Sequence, residues 1–201
     1  MDAEMMTVER FVGLELSEKL LVMANTSCPE DVIRAGGKDG SWRVRHMALR
    51  NPSAPEDVIR AGVKAWSLWE RRVAVGNPSA PEDVIREGAR DPYWEVLETA
   101  VGNPGAPEDV IRAGAKHKNA KVRKAAVGNP GAPEDVIRAG AKSRKIQMRV
   151  KIARQPRLPE DVAEQLSKSK IVEIQEALAE NPVVPEHIRV VARMKVEAGR
   201  R

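Results

Sequence analysis

Aromatic residues make up only 3% of the 201-residue chain: one Phe, one Tyr and four Trp. A core must therefore be aliphatic and built from small side chains, which favours thin helical layers over a sandwich. Cysteine occurs once, at Cys28, and this excludes an intramolecular disulfide framework and any site needing several thiolates. Long apolar runs are also missing. Leu20–Ala24, the longest near the N-terminus, is too short for a bilayer span or a signal-peptide core, so a cytoplasmic location is expected. Neither sign of charge dominates: 34 basic and 29 acidic residues leave +5, too even a balance to mark a nucleic-acid binder by itself. With 42% hydrophobic residues, the chain still has enough apolar surface for one or two folded domains.

What is present is a repeat. Asn25, Asn51, Asn77, Asn103, Asn129, Gln155 and Asn181 are each 26 residues apart. Each opens a variant of Asn-Pro-(Ser/Gly)-Ala-Pro-Glu-Asp-Val-Ile-Arg-Ala-Gly, as in Asn51 to Gly62. Of the 14 prolines, 13 fall in two columns, one after the Asn and one before Glu-Asp. Units this short cannot bury an apolar face alone, so they must stack on their neighbours. The reading is an N-terminal cap over 1–24, six repeats (25–50, 51–76, 77–102, 103–128, 129–154 and 155–180), and a partial repeat with a C-terminal cap over 181–201.

Each unit reads as a loop and two short helices. Pro55 suits the first helical position, where a missing N–H has no partner to lose, and Glu56 and Asp57 then face the positive end of the helix dipole. Pro55, Val58, Ile59 and Gly62 follow the i, i+3, i+4, i+7 spacing of one buried face. Glycine inside a helix costs about 1 kcal/mol relative to alanine. Its recurrence at Gly36, Gly62, Gly88, Gly114 and Gly140 therefore points to close helix approach. The second helix starts at an apolar column, Trp42, Leu68, Trp94, Ala120, Ile146 and Val172. Two further columns bury its inner face: Ala48, Ala74, Ala100, Ala126, Ile152 and Leu178, then Leu49, Val75, Val101, Val127, Ala153 and Ala179. The Asn before Pro leaves the helical region and bonds nearby backbone, turning the chain into the next unit.

The segments Asp39-Gly40-Ser41-Trp42-Arg43-Val44-Arg45-His46-Met47-Ala48 and Asp91-Pro92-Tyr93-Trp94-Glu95-Val96, each running into Asn-Pro-x-x-Pro, resemble the bacterial leucine-rich repeat variant family over roughly residues 14 to 194. The resemblance implies an all-α, strandless, right-handed α-solenoid, HEAT- or armadillo-like in organisation, whose α-helices alternate with a shorter α or 3₁₀ helix. Some members carry an iron–sulfur cluster held by several cysteines; with Cys28 alone, no cofactor is carried over. The family implies no single activity.

Comparison of the repeats separates frame from variation. The first helix hardly changes between units, whereas the second changes at one column, Arg43, Trp69, Glu95, Lys121, Gln147 and Glu173, and again three residues on, at His46, Arg72, Glu98, Lys124, Val150 and Glu176. A third column, four residues before the first, reads Asp39, Ala65, Asp91, His117, Ser143 and Ser169. Such spacings lie on one helical stripe. A constant frame with one variable face is how repeat proteins build binding surfaces, and Trp69 on that face reads as an interface anchor or as a ring lying flat on the next repeat. A macromolecular partner is expected, most readily a protein, because acidic and basic repeats alternate; neither a membrane nor a small-molecule substrate is indicated. The exception is 103–154, where Lys118, Lys121, Arg123, Lys124, Arg144, Lys145, Arg149 and Lys151 form a basic patch and keep nucleic acid as the alternative.

Catalytic chemistry has little footing. His46, His117 and His187 occupy different columns, so none pairs with another at metal-ligand spacing, and no metal site is expected. No phosphate-binding glycine loop, nucleophile elbow or His-Glu metal motif occurs, and the chain reads as non-enzymatic. The Arg34, Arg60, Arg86, Arg112 and Arg138 column resembles a phosphate ladder, but Glu four residues before each Arg makes helix ion pairs the stronger reading. Cys28 takes the column of Ala54, Ala80, Ala106 and Ala132 as a small packing residue, although a helix N-terminus there would lower a thiol pKa.

Overall fold

The computed structural model describes residues 6–199, all of whose regular elements are α-helices, with no strand and no 3₁₀ helix among the described residues. The chain forms two compact units, one ending at Pro107 and the other beginning at Glu108. The first holds α1 (Val8–Val12) and α2 (Leu16–Ala24), then the pairs α3 (Glu30–Gly36) and α4 (Trp42–Arg50), α5 (Glu56–Val63) and α6 (Leu68–Gly76), and α7 (Glu82–Gly88) and α8 (Trp94–Gly102). The second holds α9 (Glu108–Ala115) and α10 (Ala120–Gly128), α11 (Glu134–Ala141) and α12 (Ile146–Ala153), α13 (Glu160–Ser167) and α14 (Val172–Glu180), and finally α15 (Glu186–Gly199). Both helices of a pair are α-helical, which settles the α-or-3₁₀ choice for the second. No helix among the described residues is long and apolar enough to cross a membrane.

Within each unit the helices stack in two layers, as in an α-solenoid. The second helices pack in series, α2 on α4 on α6 on α8, and α10 on α12 on α14. The first helices form the other layer, with α5 against α7, and α9, α11, α13 and α15 in series. The caps follow the same plan. The short α1 packs on α3 as a first helix would and buries Phe11, while Lys19 on α2 reaches Asp39 at 3.0 Å and stands 5.6 Å over the Phe11 ring.

The first helix of each pair starts one residue later than the proline column predicts. Pro55 has φ −62° and ψ 148°, so it is the N-cap and Glu56 the first helical residue. The extended ψ turns the Pro55 carbonyl into the helix, where it accepts from Val58 at 3.0 Å and Ile59 at 3.2 Å. Beyond it, Ile33, Ile59, Ile85, Ile111 and Ile137 are fully buried, as are Ala48, Ala74, Ala100, Ala126, Ile152 and Leu178 from the second helices. A further core column, Val44, Val96, Val122 and Ile174, escapes the sequence reading because Glu70 occupies its place in the second repeat.

The Asn column does more than turn the chain. Asn51, Asn77 and Asn103 are buried, and each Nδ2 donates to two carbonyls that straddle the preceding repeat boundary. Asn51 reaches those of Met23 and Asn25, both at 2.9 Å; Asn77 reaches Leu49 (2.7 Å) and Asn51 (2.9 Å); Asn103 reaches Val75 (2.8 Å) and Asn77 (3.1 Å). In the second unit Gln155 donates to Val127 and Asn129, and Asn181 to Ala153 and Gln155. These carbonyls lie at or just beyond the C-terminal ends of second helices, where no intrahelical donor exists. The local turn is also made: Oδ1 of Asn51, Asn77, Asn103 and Asn129 accepts the N–H two residues on, at 2.8 Å in each case.

Candidate interaction surface

The second helices are aimed by the loops before them. The Asp39 carboxylate accepts from the Ser41 N–H (2.8 Å), Asp91 from Tyr93 (2.9 Å), His117 Nδ1 from Asn119 (3.1 Å), Ser143 Oγ from Lys145 (3.2 Å) and Ser169 Oγ from Ile171 (3.2 Å). Apart from Ala65, the third variable column is thus a set of turn-formers, and since the whole column is half-buried its placement on the exposed stripe is corrected. Burial opposes the charged form of Asp39, but the Ser41 N–H and Lys19 outweigh it and hold the carboxyl below its ordinary value. A second device braces the same loops from inside. Arg45 Nη1 donates to the carbonyls of Asp39 and Gly40, Arg71 to those of Ala65 and Trp66, Arg123 to those of His117 and Lys118, and Gln175 to those of Ser167 and Ser169. Arg123 is therefore a brace as well as a member of the basic patch.

Of the remaining stripe, Arg43, Trp69, Lys121, Lys124, Gln147 and Glu173 are exposed; His46, Arg72, Glu95, Glu98 and Glu176 are half-buried, and Val150 is buried. The exposed aromatics all belong to the first unit. Trp42, Trp69 and Tyr93 are 60%, 61% and 53% exposed, and Trp66 is wholly exposed. Trp42 and Trp69 lie in the first turns of α4 and α6, Tyr93 immediately precedes α8, and Trp66 lies in the loop before α6, so all four occupy the same end of adjacent helices. A ring of each of the three repeats lies under a guanidinium: Arg43 over Trp42 at 5.6 Å, Arg72 over Trp69 at 5.9 Å, and Arg71 of the second repeat over Tyr93 of the third at 5.5 Å. Arg72 Nε also donates to Thr99 Oγ1 on α8 at 3.2 Å, which ties the second repeat of this face to the third. The sequence reading singled out Trp69 and passed over Trp42, which stood in a column taken as apolar frame.

The basic patch lies wholly in the second unit. Lys118, Lys121, Lys124, Arg144 and Lys145 are exposed, whereas Arg123, Arg149 and Lys151 are half-buried. The arginines of the first helices are engaged in ion pairs both within and between repeats. Arg34 contacts Glu30 (3.1 Å) and Asp57 (3.0 Å), Arg112 contacts Glu108 (2.9 Å) and Asp135 (3.1 Å), and Arg60 and Arg138 repeat the pattern with Glu56 and Asp83, and with Glu134 and Asp161. Hydrogen bonds donated to Asp57, Asp135 and Asp161 raise the pKa of Arg34, Arg112 and Arg138. Half of this ladder, the Glu at i−4, is visible in the sequence; the Asp at i+23 is not. One repeat further on, Glu164 and His187 stand where Arg and Asp stood. Glu160, Glu164 and His187 thereby bring carboxylate and imidazole atoms within 4.8 Å of one another, all three side chains exposed. Spacing along a single helix gave no sign of this group.

Cys28 is buried, and its thiol is pushed up to about 11, first by burial and then by Asp31. Any lowering by the helix N-terminus is thus overridden, and Cys28 packs as a small apolar side chain. Because the thiolate is the nucleophile, alkylation of the native protein by iodoacetamide at pH 8 is expected to run about 100-fold slower than in denaturant and to rise about tenfold per pH unit up to pH 10. Mass spectrometry of the modified chain measures both rates.

No family model matches the chain, and no curated protein matches it.

Proposed function

We propose that this chain is a non-enzymatic repeat scaffold, of the leucine-rich repeat variant kind its motifs resemble, that binds a protein partner through the exposed face of its second helices. The observation that carries the reading is the run of exposed rings on three successive repeats, each with a guanidinium over it. Monomeric surfaces scatter large apolar side chains singly, whereas Trp, Tyr and Arg gathered on one face are the residues of interface hot spots. Rigidity supports the same reading, because the loops presenting the rings are braced by Arg45 and Arg71, and bracing lowers the ordering cost of association. The exposed lysines and arginine of the second unit favour nucleic acid as the second reading.

Two experiments separate these readings. Affinity capture from the source cells with the wild-type chain and with Trp42→Ala/Trp69→Ala should enrich at least one protein that the variant loses, with nuclease treatment making no difference. Equal capture by both chains would sink the protein-binding reading. Anisotropy titration of duplex DNA and single-stranded RNA across a salt series, with Lys121→Glu/Lys124→Glu/Arg144→Glu/Lys145→Glu as control, tests the second; steeply salt-dependent binding that vanishes in the control would promote it. Lys121→Glu alone is an exposed change and should move stability by no more than about 0.5 kcal/mol in urea unfolding. A larger loss would mean that Lys121 belongs to the frame.

A further inference from the structure

We infer that the occupant of the aromatic face is a protein segment of divided charge: bulky apolar side chains in its middle, acidic residues toward repeats 25–76 and basic residues toward repeat 77–102. The inference rests on the protein-binding reading above and adds the partner's chemistry. Half-buried charges pair and cancel along this face: Arg45 with Glu70 at 2.7 Å and Arg71 with Asp91 at 2.7 Å. What remains on α4 and α6 beside Trp42 and Trp69 is basic, Arg43 and Arg72, while α8 beside Tyr93 carries Glu95 and Glu98. One oxygen of Glu95 has no hydrogen-bond partner within the protein, so that carboxylate is under-supplied with donors. The face therefore runs from basic to acidic over three repeats with rings along its length. A phosphate backbone laid over the rings would meet Glu95 and Glu98 with like charge, which disfavours nucleic acid here.

Short fluorescein-labelled peptides sharing one Leu-Trp-Phe centre test the assignment against the full-length chain by anisotropy: one flanked by Glu on one side and Lys on the other, one by Glu on both, one by Lys on both, with a uridine oligonucleotide beside them. The divided peptide should bind at least about tenfold tighter than either uniform one. Glu95→Lys/Glu98→Lys should transfer that preference to the all-Glu peptide, and Trp42→Ala/Trp69→Ala should weaken every peptide by about tenfold or more, both variants keeping the thermal midpoint of the parent. Equal binding of the three peptides, an unchanged ranking in the Lys variant, tighter binding of the oligonucleotide, or no binding by any peptide overturns the charge assignment. If cellular capture still depends on the tryptophans in any of these cases, the protein-binding reading survives without it; if capture does not, both fall.

Discussion

Replacing Asn77 with Ala should cost about 2–4 kcal/mol in urea unfolding, the largest effect expected of any single polar change in the chain. Asn77 is 2% exposed, and its amide joins three groups: Nδ2 donates to the carbonyls of Leu49 and Asn51, and Oδ1 accepts from the Ser79 N–H. Alanine leaves two carbonyls and one N–H without that partner at a repeat boundary. The protein contains its own control for dividing this loss. Gln155 occupies the same column, keeps both donations across the preceding repeat boundary, and leaves its Oε1 without a partner because the longer side chain overshoots the local turn. Asn77→Gln should therefore lose the turn and keep the inter-repeat bonds, at about 1 kcal/mol. The predicted order is Asn, Gln, Ala. An alanine variant as stable as the glutamine one would show that the inter-repeat bonds contribute nothing.

That ladder also marks where sequence reading stops. The 26-residue period, the helix pairs and the aliphatic core were legible because Pro, Gly and Asn each answer to a local backbone demand that recurs in every unit. Bonds between repeats leave no such trace: Asn77 and Leu49 are 28 positions apart, Arg34 and Asp57 are 23, and nothing in a single unit says which neighbour a side chain meets. The site was legible to the same degree. Variation at Arg43, Trp69 and Glu95 picked out the presenting helix, and Trp42 was overlooked because an apolar column was read as frame when its first member is 60% exposed. The half-buried Asp39, Asp91, His117, Ser143 and Ser169 were misplaced for the converse reason, since they vary in identity while sharing one role, the acceptor of a turn.

Gly88→Leu should destabilise the first unit by more than about 3 kcal/mol, at or above the upper end of ordinary overpacking, because the clash involves a short β-branched neighbour with little room to move. A Cβ at Gly88 would stand 2.5 Å from Val75 Cγ2 and 2.8 Å from Cγ1, before any further carbon is added. The same closeness recurs along the glycine column. At Gly62 the added carbon would meet Leu49 and stand 2.9 Å from Ala74 Cβ, and at Gly140 it would stand 2.8 Å from Ile152 Cδ1. Helix propensity alone argues the other way, since a side chain in place of glycine gains up to about 1 kcal/mol within a helix. The sign of Gly88→Ala therefore tests which effect wins, and the packing distance predicts a net loss. Gly40 supplies the contrast: it lies in a loop with nothing within 4 Å of its notional Cβ and without a positive φ, so Gly40→Ala should be neutral or stabilising by up to about 1 kcal/mol. Thermal and urea unfolding of the three variants decide the matter. A Gly88→Leu protein that melts with the parent would mean that α7 does not approach α6 as closely as the structure places it, and the neighbour-on-neighbour packing that holds the aromatic face in register would need another explanation.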